Sequence, residues 1–415
     1  MSQPPPDSAA RSSAAEAIAQ PEVMLTLREP VLLLLLLLTA IALFAAALML
    51  TRAFHDREQQ LAEQWFERGR SELAAGRSDA AIGDFQSALL YQRDDPQYRL
   101  SLAQALFDSH QYSKAEAYFR SLLEADHADG LVNLELARIA ALTNRPEEAI
   151  RVYQNAIYGI WPANADEHRR EVRLELTELL LKNQRNSEAE AQLIALSAEL
   201  PNDSPLLKQV ARLFAQVGDY ARASDLYSRA LQTDPHSVDV LIGLGNAEFN
   251  QNDYVSARRH LTPVLDQQPT NAAVAAMAHT IDLVLSLDPY EPVPEAERRA
   301  RVIRGFQIAS ERLRQCQDSG ALPQATPGTA TAQPPKPPGP ATSPTPQPQS
   351  QLASLADRMA QMTPRVNDRN LRNHGDLAEN VVDVVFAFAH QAQNVCGPLT
   401  PDDDALLRVA TRHAQ

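Results

Sequence analysis

The sequence predicts an all-α fold, a helical-repeat solenoid behind an N-terminal transmembrane helix and ahead of a C-terminal helical segment. Three observations predict it. Position 20 of a 34-residue frame is alanine six times running, at Ala81, Ala115, Ala149, Ala189, Ala223 and Ala257, and only the step from Ala149 to Ala189 departs from 34, by six residues. The 20 residues from Val31 to Leu50 are apolar apart from the weakly polar Thr39. Cys316 and Cys396, the chain's two cysteines, each end a stretch whose apolar residues fall on one helical face.

Residues 1–29 contain Pro4, Pro5 and Pro6 followed by serine and alanine, and they read as a disordered tail. Residues 30–51 read as the transmembrane helix, since 20 apolar residues rising about 1.5 Å each span a bilayer core of about 30 Å. A cleaved signal sequence is the competing reading. Its apolar region is usually only about 7–15 residues long, and here Arg11 and Arg28 are outnumbered by four acidic residues upstream of the apolar run. No cysteine stands near the end of the run to take a lipid anchor. Residues 52–61 read as a short stem.

Six repeats follow at 62–95, 96–129, 130–163, 170–203, 204–237 and 238–271. Position 8 is small, as at Gly69, Ala103, Ala137, Ala211 and Gly245, with Thr177 the largest. Position 24 is large, at Phe85, Phe119, Tyr153, Leu193, Tyr227 and Leu261, and position 32 is proline in the last three repeats, at Pro201, Pro235 and Pro269. Small residues let two helices approach, a large one fills the space beside them, and proline ends the second helix because it has no N–H to donate. An ordinary bundle of amphipathic helices would not hold this phase for six cycles. In these residues the chain resembles the tetratricopeptide repeat family, whose unit is helix, turn, helix. The stretches Ala215–Pro235 and Phe249–Leu261 match best.

Residues 272–288 start a seventh helix in phase, read as the cap that a solenoid needs at its open end. Residues 295–318 read as a helix with Ile303, Phe306, Leu313 and Cys316 on one face. Residues 319–350, with ten prolines between Leu322 and Gln351, read as a disordered linker. Residues 351–415 read as helices, with Leu352, Leu355, Met359 and Met362 on one face and Val385, Phe388 and Cys396 on another. Packing these faces together across the linker would bring Cys316 and Cys396 close enough for a disulfide closing a loop of 80 residues, worth about 4 kcal/mol by chain entropy. Two unrelated buried thiols are the alternative.

Function is bounded by what the chain carries. With 52 acidic against 38 basic residues it has a net charge of −14, which disfavours binding to nucleic acid because phosphate contacts need a basic face. The glycines at 243 and 245 lack the third glycine and the preceding strand of a nucleotide loop, the histidines are scattered, and cysteines 80 apart are not zinc-ligand spacing. No catalytic residue, cofactor or metal is therefore expected, and function falls to surface recognition of partner proteins or peptides, with the membrane engaged through residues 31–50.

The resemblance implies that first-helix positions 2, 5, 9, 12 and 13 line a concave groove. Carried onto this chain, the candidate residues are Phe66, Arg70, Leu100, Gln104, Phe107, Arg138, Lys208, Arg212, Asn246, Phe249 and Asn250. Lys208, Arg212, Asn246 and Asn250 partly resemble the carboxylate clamp of chaperone-binding relatives, except that Gly243 stands where the clamp has asparagine. Trp161 marks the six-residue insertion, either as an exposed aromatic contact or as filling for a widened junction.

The expected role is a membrane-anchored scaffold of bacterial type in envelope assembly, secretion or folding. A regulatory or adaptor subunit of an envelope enzyme complex is the alternative. Orientation is contested. Arg52 and Arg57 against Arg28 favour cytoplasmic repeats by the positive-inside rule, whereas the cysteine pair and the Pro/Thr/Ser linker favour an inner-membrane protein with its repeats outside the cytoplasm, and the balance falls there.

Overall fold

The computed structural model describes residues 22–322 and 348–414. Among them there is helix and no strand, and the chain divides into two compact units, residues 1–165 and 166–415.

The first unit begins with α1 (Glu22–Ala74), one unbroken helix of 53 residues that contains the apolar run and the first helix of repeat one. Most of the expected tail lies outside the described residues, but its last part, 22–29, is helical and not disordered. The expected stem is likewise continuous helix, and it contains neither glycine nor proline that would break it. There follow α2 (Ser78–Tyr91), α3 (Pro96–Asp108), α4 (Tyr112–Ala125), α5 (Gly130–Leu142) and α6 (Pro146–Tyr158). Asp95 and Asp129 cap α3 and α5 by accepting backbone N–H groups.

The second unit holds α7 (Ala165–Lys182), α8 (Asn186–Ser197), α9 (Ser204–Val217), α10 (Tyr220–Thr233), α11 (Val238–Asn250), α12 (Tyr254–Gln267) and α13 (Ala272–Leu287). It continues through α14 (Glu295–Asp318), α15 (Pro348–Met362), α16 (Asp368–Asn373), α17 (Gly375–Ala392) and α18 (Pro401–Arg412). The helix α7 begins five residues ahead of the frame opening at 170, so much of the insertion lengthens the first helix of repeat four.

The alanine ladder is explained by contact. All six alanines are fully buried. A Cβ placed on Gly69 would stand 2.6 Å from Phe85, and one on Gly245 would stand 2.6 Å from Leu261. Position 8 is therefore small because the large residue at position 24 of the same repeat lies against it. Trp161 is buried against Gly130, where a Cβ would stand 2.4 Å from the indole, and its Nε1 donates to the Ala156 carbonyl at 3.0 Å. It fills the junction and is not an exposed contact.

The helix α13 is not a terminal cap. One core runs from Leu241, Tyr254 and Leu261 through Val274, Ile281 and Val284 into α14, α15, α17 and α18. A solenoid end needs a polar outer face only when solvent meets it, and here a helical bundle covers α13. The apolar stripes expected from the sequence are the faces that pack, with Phe306, Cys316, Leu352, Met359, Val385 and Phe388 all buried in this core. Cys396 lies four residues beyond α17, in the turn after it, and is disulfide-bonded to Cys316 with a Cα–Cα distance of 4.8 Å. Of the expected linker, 323–347 lie outside the described residues. At its ends Leu322 is buried and Pro348 opens α15.

Candidate functional site

The groove candidates do not share one environment. In the first unit Phe66 is 3% exposed, stacks on Tyr98 at 4.6 Å between ring centroids and meets Phe85 at 5.7 Å. It belongs to the core between repeats one and two and is removed from the groove, because a ring at position 5 gains more from burial against two aromatics than from solvent. The Tyr98 hydroxyl donates to Glu63 at 3.0 Å, and burial together with that carboxylate pushes its pKa up to about 12. Arg70 is exposed and pairs with Glu67 on its own helix at 2.9 Å. Leu100, Gln104 and Phe107 share one face of α3, half-buried, and Phe107 meets Tyr112 edge-on at 5.7 Å. Arg138 pairs with Glu135 at 3.0 Å, and Leu142 is exposed at the end of α5. The candidate residues of this unit that remain accessible are thus Leu100, Phe107 and Leu142, with Gln104 and two arginines held by neighbouring carboxylates.

In the second unit Lys208 on α9 reaches Asp239 on α11 at 3.3 Å, an ion pair with both ends exposed. Arg212 lies one turn further along α9, exposed and with no side-chain partner among the described residues. The Asn246 amide donates to the Ile242 carbonyl at 3.0 Å, and that of Asn250 donates to the Asn246 carbonyl at 2.8 Å. Each asparagine spends one of its two amide N–H donors on its own helix and keeps the other together with the amide oxygen. The patch therefore offers cationic donors from α9 and both amide donors and acceptors from α11.

Phe249 does not face an open groove. The Arg408 guanidinium of α18 sits 4.5 Å from its ring centroid, and Arg408 is held in turn by Asp404 at 2.8 Å. Arg412 and His413 reach the fully buried Asp288 beyond α13, each at 2.9 Å. Hence the last helix packs over Phe249, while Asn250 one residue further along α11 stays exposed. Nothing in the repeat frame signalled Arg408 or Asp288, which lie outside it, and Asp288 is 124 residues from Arg412 in sequence.

Comparison with known proteins identifies the repeats. Models of the tetratricopeptide repeat match residues 66–129, 100–165, 143–213 and 214–279, together just over half of the chain. The chain belongs to the tetratricopeptide repeat family. Among solved structures it is similar to YrrB, described as a tetratricopeptide repeat protein with an unusual peptide-binding site, at 18% identity over 46% of this chain and 95% of that one, with a TM-score of 0.38. It is similar to the C-terminal part of a repeat protein from Cytophaga hutchinsonii at 15% identity over 56% and 93%, with a TM-score of 0.43. The type IV pilus biogenesis factor PilW gives 16% identity over 54% and 98%, with a TM-score of 0.38. Among curated proteins none matches the sequence.

Within the tetratricopeptide frame the departure at Gly243 has a steric cause. A Cβ there would stand 2.4 Å from the Tyr227 ring, so the tyrosine at position 24 of repeat five occupies the space an asparagine at 243 would need. The same burial raises the Tyr227 pKa, against the pull of nearby Arg212.

Proposed function

We propose that this tetratricopeptide repeat protein is a membrane-anchored scaffold that binds extended segments of partner proteins and has no chemistry of its own. The observation that carries the reading is Arg212, an exposed guanidinium without a partner among the described residues, next to a lysine whose single ion pair is solvent-exposed on both sides. Exposed pairs are worth about 0–1 kcal/mol, so a ligand carboxylate displaces Asp239 at little cost. Charge-assisted hydrogen bonds from Lys208 and Arg212 then select an acidic segment. In the first unit Leu100, Phe107 and Leu142 suit an apolar one.

The apolar part of α1 supports anchoring, being a helix long and apolar enough to cross a membrane and wholly exposed along that part. The Cys316–Cys396 disulfide supports repeats outside the cytoplasm, where oxidising conditions keep such bonds, and hence a role in envelope assembly, secretion or folding. Exchange of Lys208 and Arg212 for glutamate in the full-length chain, followed by affinity recovery of its partners, tests the groove. Recovery is expected to fall about tenfold or more, as for the loss of charge-assisted hydrogen bonds. Unchanged recovery would overturn the reading.

A further inference from the structure

The outer face of repeats one and two carries a feature that the groove does not use. Position 29 of the frame points to solvent, where repeats two, five and six place Glu124, Gln232 and Asp266, repeat four places Ala198 and repeat three places Tyr158, all exposed. Repeat one has Leu90, 78% exposed. An apolar side chain at a solvent position contributes nothing to the repeat itself. Beside it is a cleft of about 520 Å³ between α2 and α4, lined by Leu89, Leu90, Ala117 and Tyr118 with Arg93 and Arg99 at its edge.

The charges around this cleft are spent unequally. Asp94 pairs with Arg99 at 2.5 Å, and the Arg93 carbonyl accepts from Arg99 Nε at 3.1 Å, so Arg99 is fixed in place. The Asp95 carboxylate accepts the backbone N–H groups of Gln97 and Tyr98 as the cap of α3. Both local acids are thereby engaged, and the Arg93 side chain has no partner among the described residues. An apolar cleft with one uncommitted guanidinium at its edge is complementary to an apolar side chain followed by a carboxylate.

We propose that this face is a second docking surface, for a segment of a partner protein that inserts a leucine, isoleucine, phenylalanine or methionine between Leu89, Leu90 and Tyr118 and places an aspartate or glutamate on Arg93. The planar guanidinium matches a carboxylate in bidentate fashion. Charge argues against a lipid surface as the occupant, since anionic membranes are held by clusters of lysine and arginine and this chain has a net charge of −14. The apolar lining lies on the second helices α2 and α4, with Arg93 in the turn after α2, and is independent of Arg212.

A photoreactive residue at Gln86, on the rim of the cleft, tests the assignment in the full-length chain in cells, with the cross-linked peptide identified by mass spectrometry. The expected adduct is a peptide of another protein in which an acidic residue stands within four positions of a large apolar one. Its yield should fall about tenfold in Leu90→Asp and in Arg93→Glu, and stay unchanged in Arg212→Glu. Absence of an adduct overturns the proposal. So does an adduct with lipid or with a second copy of this chain, a yield indifferent to Leu90→Asp and Arg93→Glu, or an equal yield from the same photoreactive group at Glu124.

Discussion

Glu116 on α4 accepts from Arg145 at 2.8 Å and from Arg120 at 2.5 Å, and both arginines also reach Glu148 on α6. The network ties repeat two to repeat three across the turn that opens α6. Hydrogen bonds from Arg145, offset in part by burial and reinforced by Arg120, hold the Glu116 carboxyl below its ordinary value of 4.5. The folded chain thus binds this proton less tightly than the unfolded one. The stabilisation is complete above the unfolded value and is lost as pH falls through the lower folded value. Urea melts of wild type and Glu116→Gln should differ by a constant margin from pH 8 to about pH 5.5 and converge below about pH 4.5. A margin that persists unchanged to pH 3 would show that the charge is not its source. At this scale the sequence made the ladder legible, because a 34-residue recurrence of alanine is a local property of the frame. It did not make Phe66 legible. Position 5 borders both groove and seam, and only the rings of Tyr98 and Phe85, 32 and 19 residues away, decide which side a phenylalanine takes.

The helices after the repeats were legible as amphipathic elements, since a 3.6-residue period shows which face is buried. It does not show against what, which is why α13 read as a cap and proved to be the base of a bundle. The buried arginine of that bundle was invisible for a related reason. Arg312 sits beside Leu313 on a helix rich in arginine, and its burial depends on the turn that follows α17. There it donates to the carbonyls of Gly397 at 2.6 Å and Pro398 at 2.7 Å, and it lies 3.7 Å from Asp403, which also closes the capping box of α18 with Thr400. Arg312 thereby holds the start of α18, one turn from Cys316. Methionine in its place fills similar volume but leaves two carbonyls and a buried carboxylate short of a donor. Because Asp403 retains its bonds to Thr400, the cost of Arg312→Met should fall at the low end for a broken buried pair, about 3 kcal/mol. Denaturant unfolding with the disulfide intact measures it, and a loss under about 1 kcal/mol would mean that the turn is held without the arginine.

Two features of the whole chain bear on where it works, and they point opposite ways. Charge favours cytoplasmic repeats by a single arginine, Arg52 and Arg57 against Arg28, within one helix that runs unbroken from the apolar run into repeat one. The disulfide favours the other side, and its dependence on compartment is stronger than a one-charge bias. Cytosolic thiol buffers keep cysteines reduced, while a bond closing an 80-residue loop in a buried core persists outside. The sequence alone already tips this balance outward, but through a cysteine pairing that rests on how two apolar faces pack in the tertiary structure. Labelling with a membrane-impermeant maleimide separates the two orientations. With the repeats outside the cytoplasm, denatured chain from cells whose free thiols were first blocked takes up no label until it is reduced, and then two labels per molecule. An impermeant reductant applied under mild denaturant to cells with a permeable outer envelope and an intact inner membrane should expose the same two thiols. With the repeats in the cytoplasm, both thiols react without any reductant, and only after lysis. That second pattern would overturn the proposed oxidising compartment and the envelope role proposed with it, leaving a C-terminal bundle that depends on Arg312 and its apolar core for closure.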